Sequence, residues 1–167
     1  MDAVLVRAAA GGDLRPLTDL YNHYVKTSPA TFDLEPVSID DRMRWMSRYA
    51  NSGPHRLLVA IDEGAMAGYA TSGMLREKPG YLTSVETTVY VHPGRHARGI
   101  GTRLYAALFG ALASEDVHRA YAAIVVPNPA SVALHARFGF EAVGLYREAG
   151  RKFGRYWDVQ WFERPLS

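Results

Sequence analysis

The amino-acid sequence predicts a mixed α/β layer fold. Three observations carry it: two helix-spaced apolar patterns near the start, β-rich segments from Arg56 to Val91, and a strand, loop, helix, strand unit after them. Val4 to Arg7 reads as a short strand, with Ala8-Ala9-Ala10-Gly11-Gly12 as its turn. Asp13 then precedes Leu14, Leu17, Leu20, Tyr21 and Tyr24 at helical spacing, and Pro16 falls in the first turn, where its missing N–H breaks no helical bond. Ser38 stands three residues before Asp41 in the manner of a capping box, and Ile39, Met43, Met46 and Tyr49 make one face of a second helix. Between these helices Lys26 to Pro36 is irregular. Arg56 to Ile61, the turn Asp62-Glu63-Gly64-Ala65, and Met66 to Leu75 form a hairpin pattern, followed by a third long strand over Tyr81 to Val91. A loop of Pro, Gly and Arg leads into a helix from Thr102 to Ser114, with Leu104, Leu108, Ala111 and Leu112 on one face. His118 to Val126 is a strand, Asn128 to Phe138 a short helix, and Ala142 to Tyr146 with Tyr156 to Glu163 a last strand pair.

The chain of 167 residues has the size of one domain, taken as 1–167. At 18.5 kDa it can bury roughly 70% of its unfolded surface. A composition 48% hydrophobic and 22% charged excludes disordered, collagen-like and coiled-coil classes. Nineteen basic against seventeen acidic residues leave a net charge of +2, so nothing calls for nucleic acid as a partner. The absence of cysteine removes disulfides, thiolate metal sites, iron–sulfur clusters and cysteine nucleophiles together, and the six histidines lack ligand-like spacing, so no metal is expected. Met1-Asp2-Ala3-Val4-Leu5-Val6-Arg7 is unlike a signal peptide, and no apolar run approaches the ~20 residues of a membrane span. The expectation is a cytoplasmic protein with no membrane partner.

The chemistry concentrates between Val85 and Thr102. A β-strand there feeds a Gly-rich loop that opens a helix, which points several backbone N–H groups into one concavity at the positive end of the helix dipole. Gly99 and Gly101 let the backbone approach a pyrophosphate, with Arg95, Arg98 and Arg103 adding positive charge. The Rossmann fingerprint is excluded because Leu104 stands where the third glycine belongs, and a P-loop because Gly-Lys-Ser/Thr is missing. An ordinary strand-to-helix turn beside a solvated basic patch is the alternative on this segment alone.

The segment His96-Ala97-Arg98-Gly99-Ile100-Gly101 resembles the pyrophosphate loop of the GNAT superfamily of acyl-CoA N-acyltransferases, Gln/Arg-x-x-Gly-x-Gly/Ala, with His96 in place of the usual first residue. Val125-Val126-Pro127-Asn128-Pro129-Ala130-Ser131, continuing through His135 to Gly139-Phe140, resembles the second cofactor segment. More narrowly, Glu86 with Thr88-Val89-Tyr90-Val91, His135, and the run from Arg147 to Val159 resemble the phosphinothricin N-acetyltransferase group, which includes enzymes acting on methionine sulfone and methionine sulfoximine. The resemblance implies a central, mostly antiparallel, twisted sheet flanked by helices, acetyl-CoA as co-substrate, a homodimer, and direct transfer of an acetyl group to the amine of a small amino-acid-like substrate in a ternary complex. A GNAT enzyme for another amine (an aminoglycoside, polyamine or protein N-terminus) and a non-catalytic acyl-CoA-binding module are the alternatives.

The resemblance also implies roles. Glu86 matches the catalytic glutamate, which is needed because only a neutral amine attacks a thioester. His135 stands where many GNAT enzymes carry a tyrosine acid, suited to protonating the departing thiolate. Ala97, Arg98, Gly99, Ile100, Gly101 and Thr102 would hold the pyrophosphate. Val89, Tyr90, Val91, Asn128 and Ser131 would line the pantetheine arm, the valines through backbone groups, although Tyr90 alone reads as strand packing. For the acceptor, Phe32, Glu35, Arg76 and Tyr81 are candidates, with Arg76 the bidentate partner for an α-carboxylate.

Overall fold

A computed structural model describes residues 4–167. Its seven strands form one sheet in the order β1-β2-β3-β4-β5-β7-β6. Strand β1 is Leu5–Ala8, β2 Arg56–Asp62, β3 Ala65–Met74, β4 Ser84–Val91, β5 Arg119–Val126, β6 Glu141–Lys152 and β7 Arg155–Pro165. Every neighbouring pair is antiparallel except β4 and β5. Helices α1 (Leu14–Thr27) and α2 (Ile39–Met46) pack on one face, and α3 (Ile100–Leu112) covers the other.

Local chemistry fixes these elements. The Asp13 carboxylate accepts both the Ala10 N–H and the Arg7 guanidinium, each at 2.7 Å, which pins the start of α1 to β1. Ser38 Oγ accepts the Asp41 N–H at 3.1 Å and caps α2, as its spacing predicts. Helix α3 begins at Ile100, ahead of the expected Thr102, because Gly99 is its N-cap in the left-handed conformation at φ 68°. Strand β4 starts three residues later than expected, since Pro79–Tyr81 close a 3-10 turn. The last pair is longer than the pattern suggests. A bulge between Tyr146 and Gly150 absorbs extra residues without ending the ladder, and the strands continue to the Phe153-Gly154 turn.

Alternation along β4 sends side chains to two cores. Val85 joins Ile100, Leu104, Tyr105 and Leu108 under α3, whereas Tyr90 joins Leu17, Leu20 and Tyr69 under α1. Gly68 brings α3 close: a Cβ there would lie 2.6 Å from the Tyr90 carbonyl and 3.2 Å from Ile100 and Leu104. The feature that positions the site is the short parallel pairing of β4 with β5. It covers Ser84, Val85 and Glu86 only, and past Glu86 the strands diverge.

Candidate active site

The divergence opens a cleft of about 480 Å³. Glu86 to Val91 form one wall and Ala123 to Val125 the other, while the Gly99 loop and α4 (Pro129–Arg137) close the far end and Ala30 to Phe32 the near one. The His92 N–H bonds back to Ala67 on β3, so even-numbered residues of β4 turn their backbone groups to β3 and odd-numbered ones turn theirs to the cleft. Val89 and Val91 therefore present N–H and C=O groups to a ligand, whereas the Thr87 N–H is taken up by the β4–β5 ladder at Tyr121. One is engaged: the Tyr24 hydroxyl donates to the Val91 carbonyl.

At the loop, Gly99, Gly101 and Thr102 line the cleft at the start of the 13-residue helix α3, where free N–H groups and the dipole favour an anion. Ile100 is fully buried in the core, so it offers only its backbone. The side chain of Ala97 lies outside the described residues. The arginines depart from expectation. Arg95 pairs with Asp62, and Arg98 reaches the same carboxylate at 3.0 Å and Glu63 at 3.4 Å, so both guanidinium groups are committed to the β2–β3 turn. They act as struts between turn and loop, with Asp62 at 0% exposure as the anchor. His96 lines the cleft.

In α4, Asn128 Oδ1 accepts the Ser131 N–H at 3.1 Å as the helix cap, leaving its amide NH₂ group for the cleft. His135 is 3% exposed and its pKa lies below the usual value because burial disfavours the imidazolium. Its Nδ1 sits 2.7 Å from the Ser131 carbonyl and its Nε2 2.8 Å from the Tyr105 hydroxyl. A carbonyl can only accept, so the single proton of the neutral ring resides on Nδ1, and Nε2 accepts from Tyr105. In this tautomer the proton of the neutral ring points to Ser131 rather than into the cleft, an arrangement that suits a positioning role for His135 better than direct donation to a thiolate.

Glu86, on the α1 side of the sheet, has its carboxyl pushed up by burial, an effect partly offset by the charge of Arg76. Arg76 is exposed beyond the end of β3, its guanidinium 6.0 Å from the Trp161 ring centroid. Phe32 lines the near end and lies so flat on β6 that a Cβ at Gly150 would come within 2.2 Å of its ring. The buried Lys152 ammonium holds this loop by donating to the Ser28 and Thr31 carbonyls at 2.8 and 2.7 Å. Glu35 and Tyr81 are not brought to the cleft: both are exposed, Tyr81 at 44% on the 3-10 turn. Tyr105, Tyr24 and Asp62 escaped the sequence reading. Tyr105 sits next to Leu104 and Leu108 and reads as core, and nothing in the local sequence marks the carboxylate before a hairpin turn as an anchor. Among the described residues no group of three or more His, Asp or Glu is arranged to hold a metal, and no helix is long and apolar enough to cross a membrane.

Comparison with known proteins bears on this cleft. Residues 6–161 match the family described as an acetyltransferase (GNAT) domain. A phosphinothricin N-acetyltransferase of Streptomyces coelicolor is 61% identical over 98% of this chain and 96% of its own length. An L-methionine sulfoximine/L-methionine sulfone acetyltransferase of Pseudomonas aeruginosa is 35% identical over 97% of this chain and 94% of its own. Among solved structures, a phosphinothricin acetyltransferase from Sinorhizobium meliloti in complex with acetyl-CoA superposes with a TM-score of 0.91 at 33% identity, covering 98% of this chain and 89% of that one.

Proposed function

The chain belongs to the GNAT acetyltransferase family and is an acetyl-CoA-dependent N-acetyltransferase, and from that premise we propose that its acceptor is the amine of a small amino-acid-like molecule of the phosphinothricin, methionine sulfone or methionine sulfoximine type. The observation that carries this reading is the half-buried carboxyl of Glu86 in the cleft wall, with the guanidinium of Arg76, exposed beyond the end of β3, near enough for its charge to act on that carboxyl. An α-amino acid presents a cation and an anion on one carbon, and this pair offers the complement of each. A polyamine would meet the wrong charge at Arg76.

The residues present fit acetyl-CoA. The N–H groups from Gly99 to Thr102 suit its pyrophosphate, and Val89 with the Val91 N–H suits the pantetheine amides. Acetyl-CoA supplies an activated acyl group on a leaving thiol. The Asn128 amide and Ser131 flank that arm. Glu86 takes the proton of the acceptor's ammonium directly or through water, and its raised pKa makes it a better base once ionised. Arg76 holds the α-carboxylate with its planar fork, and Phe32 walls the site. Backbone N–H groups of the open β4 edge polarise the thioester carbonyl. His135 is a positioning residue in this reading: it fixes the Tyr105 hydroxyl, which also reaches Thr87 Oγ1 at 3.3 Å where the strands part. A thiol of pKa near ~8.5 leaves without a dedicated acid.

The same reading takes 1–167 as one domain working as a homodimer in the cytoplasm. Edge strand β6 supports the dimer, because Val143, Leu145 and Tyr146 are all more than 40% exposed on a strand whose outer edge has no partner strand among the described residues. The test is thiol release from acetyl-CoA across methionine sulfone, methionine sulfoximine, phosphinothricin, ordinary amino acids and spermidine. The amino-acid analogues are expected to be turned over with the highest kcat/KM; a preference for spermidine contradicts the acceptor assignment.

A further inference from the structure

Beside the acceptor end of the cleft lies a second cavity of about 280 Å³, enclosed by α1, α2 and β3 and sharing Thr88 and Tyr90 with the first. Its cation is Arg42 of α2, only 5% exposed. The guanidinium carbon lies 3.4 Å from the Trp45 ring centroid and 4.4 Å from that of Tyr21. With its flat faces covered by aromatic rings, Arg42 can bond only in its own plane. There Nη2 donates to the Tyr69 hydroxyl at 2.8 Å, while Nε is sealed off without a partner.

Two carboxylates also face this cavity, and both are otherwise engaged. Asp33 accepts the Tyr21 hydroxyl and acts on the Lys152 ammonium, and Asp41 pairs with Arg44 and accepts from Ser38. No ion pair reaches Arg42 among the described residues. Burying a cation without a counter-ion is costly, and the cost falls when an oxygen-bearing ligand enters its plane.

We propose that this cavity is the distal subsite of the acceptor site, in which Arg42 takes a phosphinate, sulfone or similar oxygen-rich group at the far end of the acceptor's side chain. The proposal rests on the amino-acid-like acceptor reading above. Glu86, Thr88 and Tyr90 follow one another on the same face of β4, each step covering about 7 Å. An acceptor whose amine lies at Glu86 and whose carboxylate faces Arg76 therefore extends its side chain past Thr88 into the second cavity. Aromatic rings of Tyr21, Trp45 and Tyr69 suit the methylene stem, and Arg42 suits the terminal oxygens.

The test compares kcat/KM for methionine sulfone and phosphinothricin with that for 2-aminobutyrate, which keeps the α-amine and α-carboxylate but lacks distal oxygens. Wild type should favour the two oxygenated acceptors. Arg42→Lys keeps charge but loses the fork, and should cut their kcat/KM about 10- to 100-fold, through KM, while 2-aminobutyrate and the KM of acetyl-CoA change less than about threefold. Thermal unfolding checks that the variant folds. If it does not, Thr88→Leu, which adds bulk at a residue lining both cavities, decides instead by striking the oxygenated acceptors and sparing 2-aminobutyrate. Unchanged discrimination in a folded variant, or a wild type that treats 2-aminobutyrate as well as methionine sulfone, overturns the subsite alone. A wild type that acetylates none of the amino-acid analogues but does acetylate another amine overturns the acceptor reading as well.

Discussion

Glu86 sits where desolvation and a nearby cation oppose each other. Burial raises its carboxyl pKa and Arg76 holds the rise in check, so removing Arg76's charge should raise it further. As the proposed base Glu86 works ionised, so activity should fall as pH drops through that pKa. Arg76→Gln should therefore move the acid limb of the kcat–pH profile to higher pH, whereas Arg76→Lys should leave the limb in place and raise KM for methionine sulfone by losing bidentate contact. A limb that stays put in Arg76→Gln would mean that the two groups are not coupled. Glu86→Gln preserves shape without basicity and should lower kcat about 10²- to 10⁴-fold, with acetyl-CoA affinity retained in a calorimetric titration. At His135 the sign is opposite to that of a paired histidine. Its folded pKa is depressed, so the unfolded chain binds the extra proton first, and its contribution to stability is present above about pH 6.5 and lost as pH falls through the folded pKa. Denaturant midpoints measured down that range should fall less steeply for His135→Asn than for wild type.

The element on which the proposed acetyl-CoA site depends most is the loop from Pro93 to Gly99, held to the β2–β3 turn by Arg95 and Arg98 on Asp62. Asp62→Asn keeps the size but removes the charge that anchors both arginines. It should raise KM for acetyl-CoA about tenfold and leave KM for the acceptor near its original value; equal effects on both would assign Asp62 to general stability. Gly101 is a poor probe of the same loop, because a Cβ there meets Leu134 at 3.0 Å before any ligand does. The existence of this strand, loop and helix was legible in the sequence from the two glycines and the β-branched run before them. The use of the arginines was not, because Asp62 lies more than thirty residues earlier and only the fold brings it beneath the loop. Phe32 was legible as a near-site residue and Glu35 was not separable from it, since nothing in an irregular stretch tells which side chain turns inward. Arg42 stands in the sequence among Asp40, Asp41 and Arg44 with nothing to single it out, and its burial follows from the tertiary packing of α2 on Tyr69.

At the scale of the whole molecule, one sheet performs two tasks. Its α3 side provides rigidity: Leu104 is fully buried beneath Gly68, and Leu104→Ala should destabilise the protein by about 2–5 kcal/mol in chemical denaturation. Its fork between β4 and β5 provides access, because three paired residues hold the strands together and the remainder leave backbone groups free on the β4 side. In the proposed reading that fork takes acetyl-CoA from one end and the acceptor from the other, with both bound before the acetyl group moves and no covalent enzyme intermediate. The measurement that tests this most directly is a two-substrate initial-rate study with methionine sulfone varied at several fixed acetyl-CoA concentrations. Turnover with intersecting double-reciprocal lines is the predicted result. Parallel lines, or no acetylation of methionine sulfone by a protein that binds acetyl-CoA and acetylates spermidine, would contradict the account.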